Sequence, residues 1–305
     1  MRPIAGILRS KSLQPSNAVA SVSLSMRVLL QAALFAGASI SGTVNRLPLF
    51  LFLSAINGCI WSFWGWAGIG HEFYHRRFFQ SSSINRWFFV ICGVITWSNF
   101  GYFDATHRRH HVNTLGERDP EDQSDQFVPW RRLPVLMTFD IFGFLGRIKV
   151  LAQNATGNVP NAHVHGFSTG EQQAIVRAAQ VVLIVHAAWL GLVILVLRSP
   201  EVLILTTFAP WIFRLPNVFL ERIQHLHGSR GSSSVFETTR TLLLPKPIAW
   251  IYAGMNYHVE HHLFPFVPGY RLSRINQSIL DQHLVGRSIL RLSNLRTVVA
   301  SHANR

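Results

Sequence analysis

The sequence predicts an all-α integral membrane fold: two transmembrane helical hairpins, four spans in all, under a cytosolic helical cap that holds a metal centre. Three observations carry it. Hydrophobic residues make up 49% of the 305, and the mean hydropathy is +0.23, too apolar for an ordinary soluble enzyme. Long uncharged runs recur in pairs. Eight of the fifteen histidines fall into three short boxes: His71-Glu-Phe-Tyr-His75, His107-Arg-Arg-His110-His111 and His258-Val-Glu-His261-His262.

The spans follow from the runs. A helix needs about 20 apolar residues to cross a bilayer core. Val28–Val44 (17 residues) and Leu47–Gly70 (24 residues without a charge) form the first hairpin. Ala178–Leu197 (20 residues) and Val202–Leu220 form the second, the last interrupted by Pro210, Arg214 and Pro216. Prolines are tolerated in a membrane helix when neighbours satisfy the freed carbonyls.

Charge orients the spans. No Asp or Glu precedes Glu72, and the first 27 residues carry Arg2, Arg9, Lys11 and Arg27. Arg76, Arg77 and Arg86 follow the second span, whereas the turns within the hairpins hold Arg46 alone and Arg198 against Glu201. This positive-inside pattern places both termini and the metal site in the cytoplasm of a multi-pass protein, with basic flanks facing membrane lipids. The net charge of +14 is thereby explained without nucleic acid. Residues 1–27 read as a basic, disordered tail, with an organellar targeting peptide as the alternative. Residues 28–290 read as one membrane domain and 291–305 as a C-terminal tail. Cys59 and Cys92 lie in apolar segments and form no CxxC pair.

For the three boxes to share one site, the apolar segment Trp87–Phe103 between boxes one and two must not cross. It reads as an interfacial or re-entrant helix, with Trp87, Trp97 and Tyr102 at headgroup level. The segments Pro134–Gln153 and Leu242–Tyr257, broken by charges and prolines, read as amphipathic covers of the cap. The acidic turn Asp119–Asp125 reads equally as a solvated loop or a functional one.

Spacings of three and four residues place side chains on one helical face, so each box can aim its imidazoles at a common point. Taken alone, His71-Glu72-x-x-His75 matches a zinc metallopeptidase motif, with Glu72 as general base. Eight clustered imidazoles, however, exceed one tetrahedral zinc and imply two metals of higher coordination. Iron then brings the relevant redox chemistry.

The boxes and their order through two hydrophobic hairpins resemble the membrane fatty acid desaturase/hydroxylase superfamily, acyl desaturases in particular. Asn256-Tyr-His-Val-Glu-His-His-Leu-Phe-Pro265, followed by Val267-Pro-Gly-Tyr-Arg-Leu, is similar to the third box of acyl desaturases. His107-Arg-Arg-His-His-Val-Asn-Thr114 with Asp119-Pro120 is similar to the second. The likeness runs from Leu47 to Leu272. It implies a non-heme centre of two Fe per chain and O2 as oxidant. It also implies a lipid acyl substrate and two electrons from a separate donor of ferredoxin, rubredoxin or cytochrome type. The expected outcome is a double bond in a fatty acyl chain. Hydroxylation, carotenoid ketolation and fatty acid decarboxylation are alternatives from the same centre.

The resemblance further implies a ninth ligand in Glu221-Arg-Ile-Gln-His225-Leu-His227-Gly228. His227 matches the family's Glu-His before the glycine, except that Leu226 stands where glutamate is usual; His225 is the alternative. The expected ligand set is therefore His71, His75, His107, His110, His111, His227, His258, His261 and His262. Glu72 and Glu260 are expected to orient imidazoles as part of the catalytic machinery. Asp104 and Glu117 are weaker candidates for the same role, and Asn256 reads as a water holder or a cap of the box-three helix. His163 and His165 read as surface residues. His186, within a span, reads as a histidine hydrogen-bonded between helices.

Overall fold

The computed structural model describes residues 11–122, 128–160, 166–226, 228–281 and 289–291. Over these the chain is mostly helical, with two long apolar helices.

The first, α1 (Asn17–Thr43), starts eleven residues before the apolar run. Its cap Ser16 accepts from the Val19 amide (3.4 Å), and the Ser16 amide donates to the Tyr270 hydroxyl (2.9 Å). Leu13 and Ala20 are buried, and Arg27 donates to the Ile251 and Trp250 carbonyls beneath the Trp250 ring. The expectation of a disordered tail is therefore overturned for residues 11–27: apolar contacts and a buried guanidinium tie them to the cap. At 1.5 Å per residue, α1 reaches about 40 Å, longer than a bilayer core of about 30 Å.

The second helix, α2 (Leu47–Ser62), packs on α1 but ends eight residues short of the expected boundary at Gly70. Residues 63–68 turn back instead, with the Ile69 amide on the Phe63 carbonyl (2.9 Å) and the Gly70 amide on Gly65 (3.1 Å). Gly68 permits this, because a Cβ there would collide with the Phe63 carbonyl. The turn delivers α3 (Ile69–Tyr74), the helix of box one. Between α1 and α2, the Gln31 amide nitrogen donates to Asn57 Oδ1 (2.6 Å), and the Asn57 amide nitrogen donates to the Leu205 carbonyl (3.0 Å).

Trp87–Phe103 is not the single helix expected. It is split between α4 (Ser82–Ile95) and α5 (Phe100–Val112). Trp97 takes a left-handed conformation (φ 57°), and Asn99 restarts the chain by accepting from the Tyr102 amide (3.0 Å). Box two occupies the end of α5. At 14 residues, α4 extends about 21 Å, too short for the core.

After α6 (Leu133–Met137) and α7 (Ile141–Ala155) comes the second long helix, α8 (Thr169–Leu192), prolonged by a π turn over Val193–Leu197. The Ser168 and Glu171 capping box opens it. Helices α5 and α8 touch through Gly101, whose Cβ would lie 2.6 Å from the Ala174 carbonyl. Gly101→Val should consequently force α5 off α8 at a cost of about 1–3 kcal/mol, read as a lower thermal midpoint of the purified protein in detergent.

The expected continuous helix Val202–Leu220 is also corrected. It breaks into α9 (Pro200–Leu205), a 3₁₀ turn at Ala209–Trp211 and α10 (Leu215–Ile223). Pro210 and Pro216 lack the amide that a continuing helix needs, and each sits in the first turn of the next piece.

The remaining elements are α11 (Val235–Thr238), β1 (Thr241–Leu243), α12 (Lys246–Ile251), α13 (His258–Leu263), α14 (Gly269–Asp281) and β2 (Ile289–Arg291). β1 and β2 pair in parallel, Leu242 opposite Leu290, an exception to the all-helical expectation. Leu242 and Leu290 join Leu226, Tyr252, Met255 and Leu272 in one buried cluster that supports α13 and box three.

Candidate metal centre

Among the described residues, three helical segments and one turn bring nine imidazoles together. Their nitrogens form two groups, each with all its atoms within 4.8 Å of one another. The first contains His71, His75, His107, His111 and His261; the second contains His110, His225, His258 and His262. Boxes two and three therefore do not aim at common points, as expected from spacing alone. In α5, His107 and His111 stand one turn apart and serve the first group, while His110 serves the second. In α13 the roles exchange: His258 and His262 serve the second group and His261 the first. At about 100° per residue, neighbouring histidines of a His-His pair diverge toward two points, which accounts for the His-x-x-His-His pattern.

Within each group the Nε2 atoms face one another. In the first, His71 and His261 lie 3.0 Å apart, His261 and His111 3.1 Å, His111 and His107 3.0 Å, and His107 and His75 3.2 Å. In the second, His225 and His258 are 3.1 Å apart, and His258 and His262 3.2 Å.

The other ring nitrogen is held from outside at five of the nine. His71 Nδ1 faces the Trp66 carbonyl (3.0 Å) and His225 Nδ1 the Thr238 carbonyl (3.0 Å). His107 Nδ1 faces Glu121 (2.9 Å), His110 Nδ1 faces Asp119 (2.9 Å), and His262 Nδ1 faces the Thr114 hydroxyl (3.2 Å). A carbonyl or carboxylate can only accept, so those Nδ1 atoms carry the proton and leave Nε2 a lone pair aimed inward. Burial keeps the rings neutral as well. It pushes His71 and His225 down to about 3 and His111 to about 2, and holds His75, His107, His258, His261 and His262 well below their usual value. His110 alone is raised: burial would lower it, but the Asp119 hydrogen bond and the nearby carboxylates outweigh that. Inward-facing imidazoles, eight of the nine kept neutral by burial, make a metal-ligating donor set, and nine of them suit two ions.

The carboxylates correct the sequence reading. Glu72 accepts from the Gly269 amide, and Glu260 accepts from Thr241 Oγ1 (2.6 Å) and Asn276 Nδ2 (2.6 Å). Among the described residues neither holds an imidazole; both stitch the boxes to β1 and α14 behind them. This also removes Glu72 from the position of a peptidase base. Asp104 pairs with Arg86 at the surface (3.2 Å), and Glu117 is exposed. The acids that do hold imidazoles, Asp119 and Glu121, belong to the acidic turn. Asp119 is anchored by the amides of Leu115 (2.8 Å) and Glu121 (2.9 Å), while Glu121 accepts from Thr106 (2.8 Å). Asn256 donates to the Leu242 carbonyl (2.9 Å) and so ties box three to β1; the cap of α13 is Tyr257. His186 is hydrogen-bonded between helices as expected, to the Val94 carbonyl (2.9 Å), stacked on Trp97. His163, His165 and His227 lie outside the described residues.

Residues 46–287 match the model of the family described as fatty acid desaturase. The chain belongs to that family. Among curated proteins it is similar to an omega-3 fatty acid desaturase of the endoplasmic reticulum from Vigna radiata var. radiata, 22% identical over 244 residues. That alignment covers 71% of this chain and 61% of the relative, so the chain spans about three fifths of that protein's length. All nine clustered histidines of this desaturase-family chain fall inside the matched region.

Proposed function

We propose that this chain is a membrane fatty acid desaturase holding two iron ions, one in each histidine group. The observation that carries the reading is the 3.0–3.2 Å separation of adjacent inward-facing Nε2 atoms. Two nitrogens about 2.1 Å from one ion lie about 3.0 Å apart at right angles and about 3.4 Å apart in a tetrahedron. The spacing thus favours five- or six-coordinate iron over tetrahedral zinc. His225 is the ninth ligand in this reading, in place of His227. Bound there, the iron pair would supply O2 activation, with two electrons from a separate protein donor.

The chain's own groups do the rest. Glu121, Asp119 and the Trp66 and Thr238 carbonyls hold the imidazoles in one tautomer and orientation. Trp66, Phe103 and Tyr74 wall the first group, with Phe103 stacked on His107 (4.5 Å), and keep bulk water from it. The acyl chain of a lipid is the substrate whose C–H bonds such a centre attacks.

The membrane arrangement in this reading is two hairpins, α1 with α2 and α8 with the broken α9–α10 segment, with the cap and both termini in the cytoplasm. Its support is the outward apolar surface: Leu29, Phe52, Ile184 and Leu195 are all exposed. The short α4 also lets boxes one and two share a face.

Expression in a host of known lipid composition, with metal analysis of the purified chain, tests the reading. About two irons per chain and a new double bond in host acyl chains are expected. One zinc and no iron would sink it, and a hydroxylated, ketolated or decarboxylated product would replace desaturation by that outcome.

A further inference from the structure

A second cavity, of about 780 Å³, opens beside the centre between α6, α7 and α10. Five arginines line it: Arg131, Arg132, Arg147, Arg214 and Arg222. Among the described residues, Asp140 and Glu221 are the acids in its wall, leaving three positive charges in excess. Asp140 accepts from Arg132 (2.9 Å) and Arg214 (3.3 Å), which fixes two guanidiniums with their remaining N–H groups unspent. Arg147 is half-buried and has no hydrogen bond or ion pair among the described residues; Glu221 acts on it only at a distance. Burial, together with the neighbouring Arg214, pushes the Arg147 guanidinium below its usual value. An anion in the cavity would restore what it loses by leaving water.

The cavity leads to the histidines. Arg147, Trp211, Arg214 and Glu221 also line an adjoining cavity, which in turn shares Trp66, Ala67 and Glu221 with the space beside His71, His107 and His258. Ser62, Thr96 and Asn217 along the middle stretch are already satisfied. Ser62 donates to Cys59, Thr96 to Cys92, and Asn217 to the Ser62 and Ala67 carbonyls. An apolar chain can pass these three without stranding a donor, whereas the Trp211 indole N–H in the same wall has no partner among the described residues.

Given the acyl-substrate reading above, we infer that the arginine cavity binds the phosphate-bearing head of the acyl substrate and thereby aims its chain at the centre. A free carboxylate is a poorer match: it would fill a small part of the volume. Guanidinium forks suit phosphate oxygens in pairs. Arg147, uncommitted among the described residues, is the group most available to the ligand.

The test is equilibrium binding to the full chain in detergent micelles, which requires no turnover. The probes are radiolabelled palmitoyl-coenzyme A, phosphatidylglycerol and sodium palmitate. Either phosphate-bearing ligand should bind at least about tenfold more tightly than palmitate and weaken as salt rises. Whichever of the two binds more tightly identifies a thioester carrier or a phospholipid as the source. Arg147→Gln should weaken that ligand about tenfold while leaving palmitate binding unchanged, with Arg147→Lys recovering part of the loss. Arg222→Gln is the second variant, and unchanged histidine-bound metal shows that either one has folded. Unchanged affinity in both variants, no salt dependence in the wild type, or palmitate binding as tightly as the phosphate ligands overturns the inference. Failure of the desaturase reading would show instead as absent iron and product, with binding intact.

Discussion

His261→Ala should abolish product formation and lower iron from about two toward one per chain, with membrane insertion unchanged. His261 is the one histidine of box three in the first group, bridging His71 (3.0 Å) and His111 (3.1 Å). Removing it opens the group where two helices meet, and α3 and α5 alone cannot close that edge. His258 and His262, three positions before it and one after it, serve the other group and cannot substitute without unwinding α13. The fold should survive, because α13 is held by Val259, Glu260 and the Leu242 cluster and not by that ring. Iron by elemental analysis, insertion by membrane fractionation and product by lipid mass spectrometry separate these effects. Full turnover by His261→Ala would remove the metal argument. A paired experiment resolves the ninth ligand: His225→Ala should lose iron from the second group, whereas His227→Ala should keep it.

The boxes were legible in the sequence because histidine is scarce and its spacing is a local property. Their division between two metals was also implicit in the His-His pairs, but it shows only once the turn angle of α5 and α13 is applied to each residue separately. The carboxylates that hold the imidazoles were not legible by proximity. Glu72 and Glu260 sit inside the boxes, where the helix turns them away from the centre. Asp119 and Glu121 lie outside box two and reach it because the chain doubles back after α5; the cue was an acidic turn within fourteen residues of His107. The apolar segments show the same limit. Hydropathy located α1, α2 and α8, since apolar length needs no tertiary information. It overran α2, where a tight turn at Gly68 ends the helix, and it overran the fourth segment, where Pro210 and Pro216 break it. Residues 11–27 looked like a tail because their partners, Tyr270 and Trp250, lie more than 200 positions away.

Asp119→Ala should lower activity by about 10- to 100-fold and weaken iron retention in the second group, with the first less affected. The Asp119 side chain is fully buried and receives the Leu115 and Glu121 amides while facing His110 Nδ1. Its loss leaves two buried amides without an acceptor and frees the His110 ring to rotate or change tautomer, so the lone pair no longer points inward. It also loosens the turn that presents Glu121 to His107, which couples the damage to the first group. Asp119→Asn separates these roles. The amide oxygen can still accept from one backbone N–H, so the turn should largely hold, but the negative charge that raises His110 is gone. Activity should then fall less than in Asp119→Ala, and the folded protein should lose less stability. By contrast Glu260→Gln, which touches Thr241 and Asn276 and no imidazole, should keep iron stoichiometry while costing stability alone. If Glu260→Gln lost iron as readily as Asp119→Ala, the acidic turn would not be the outer support of the centre.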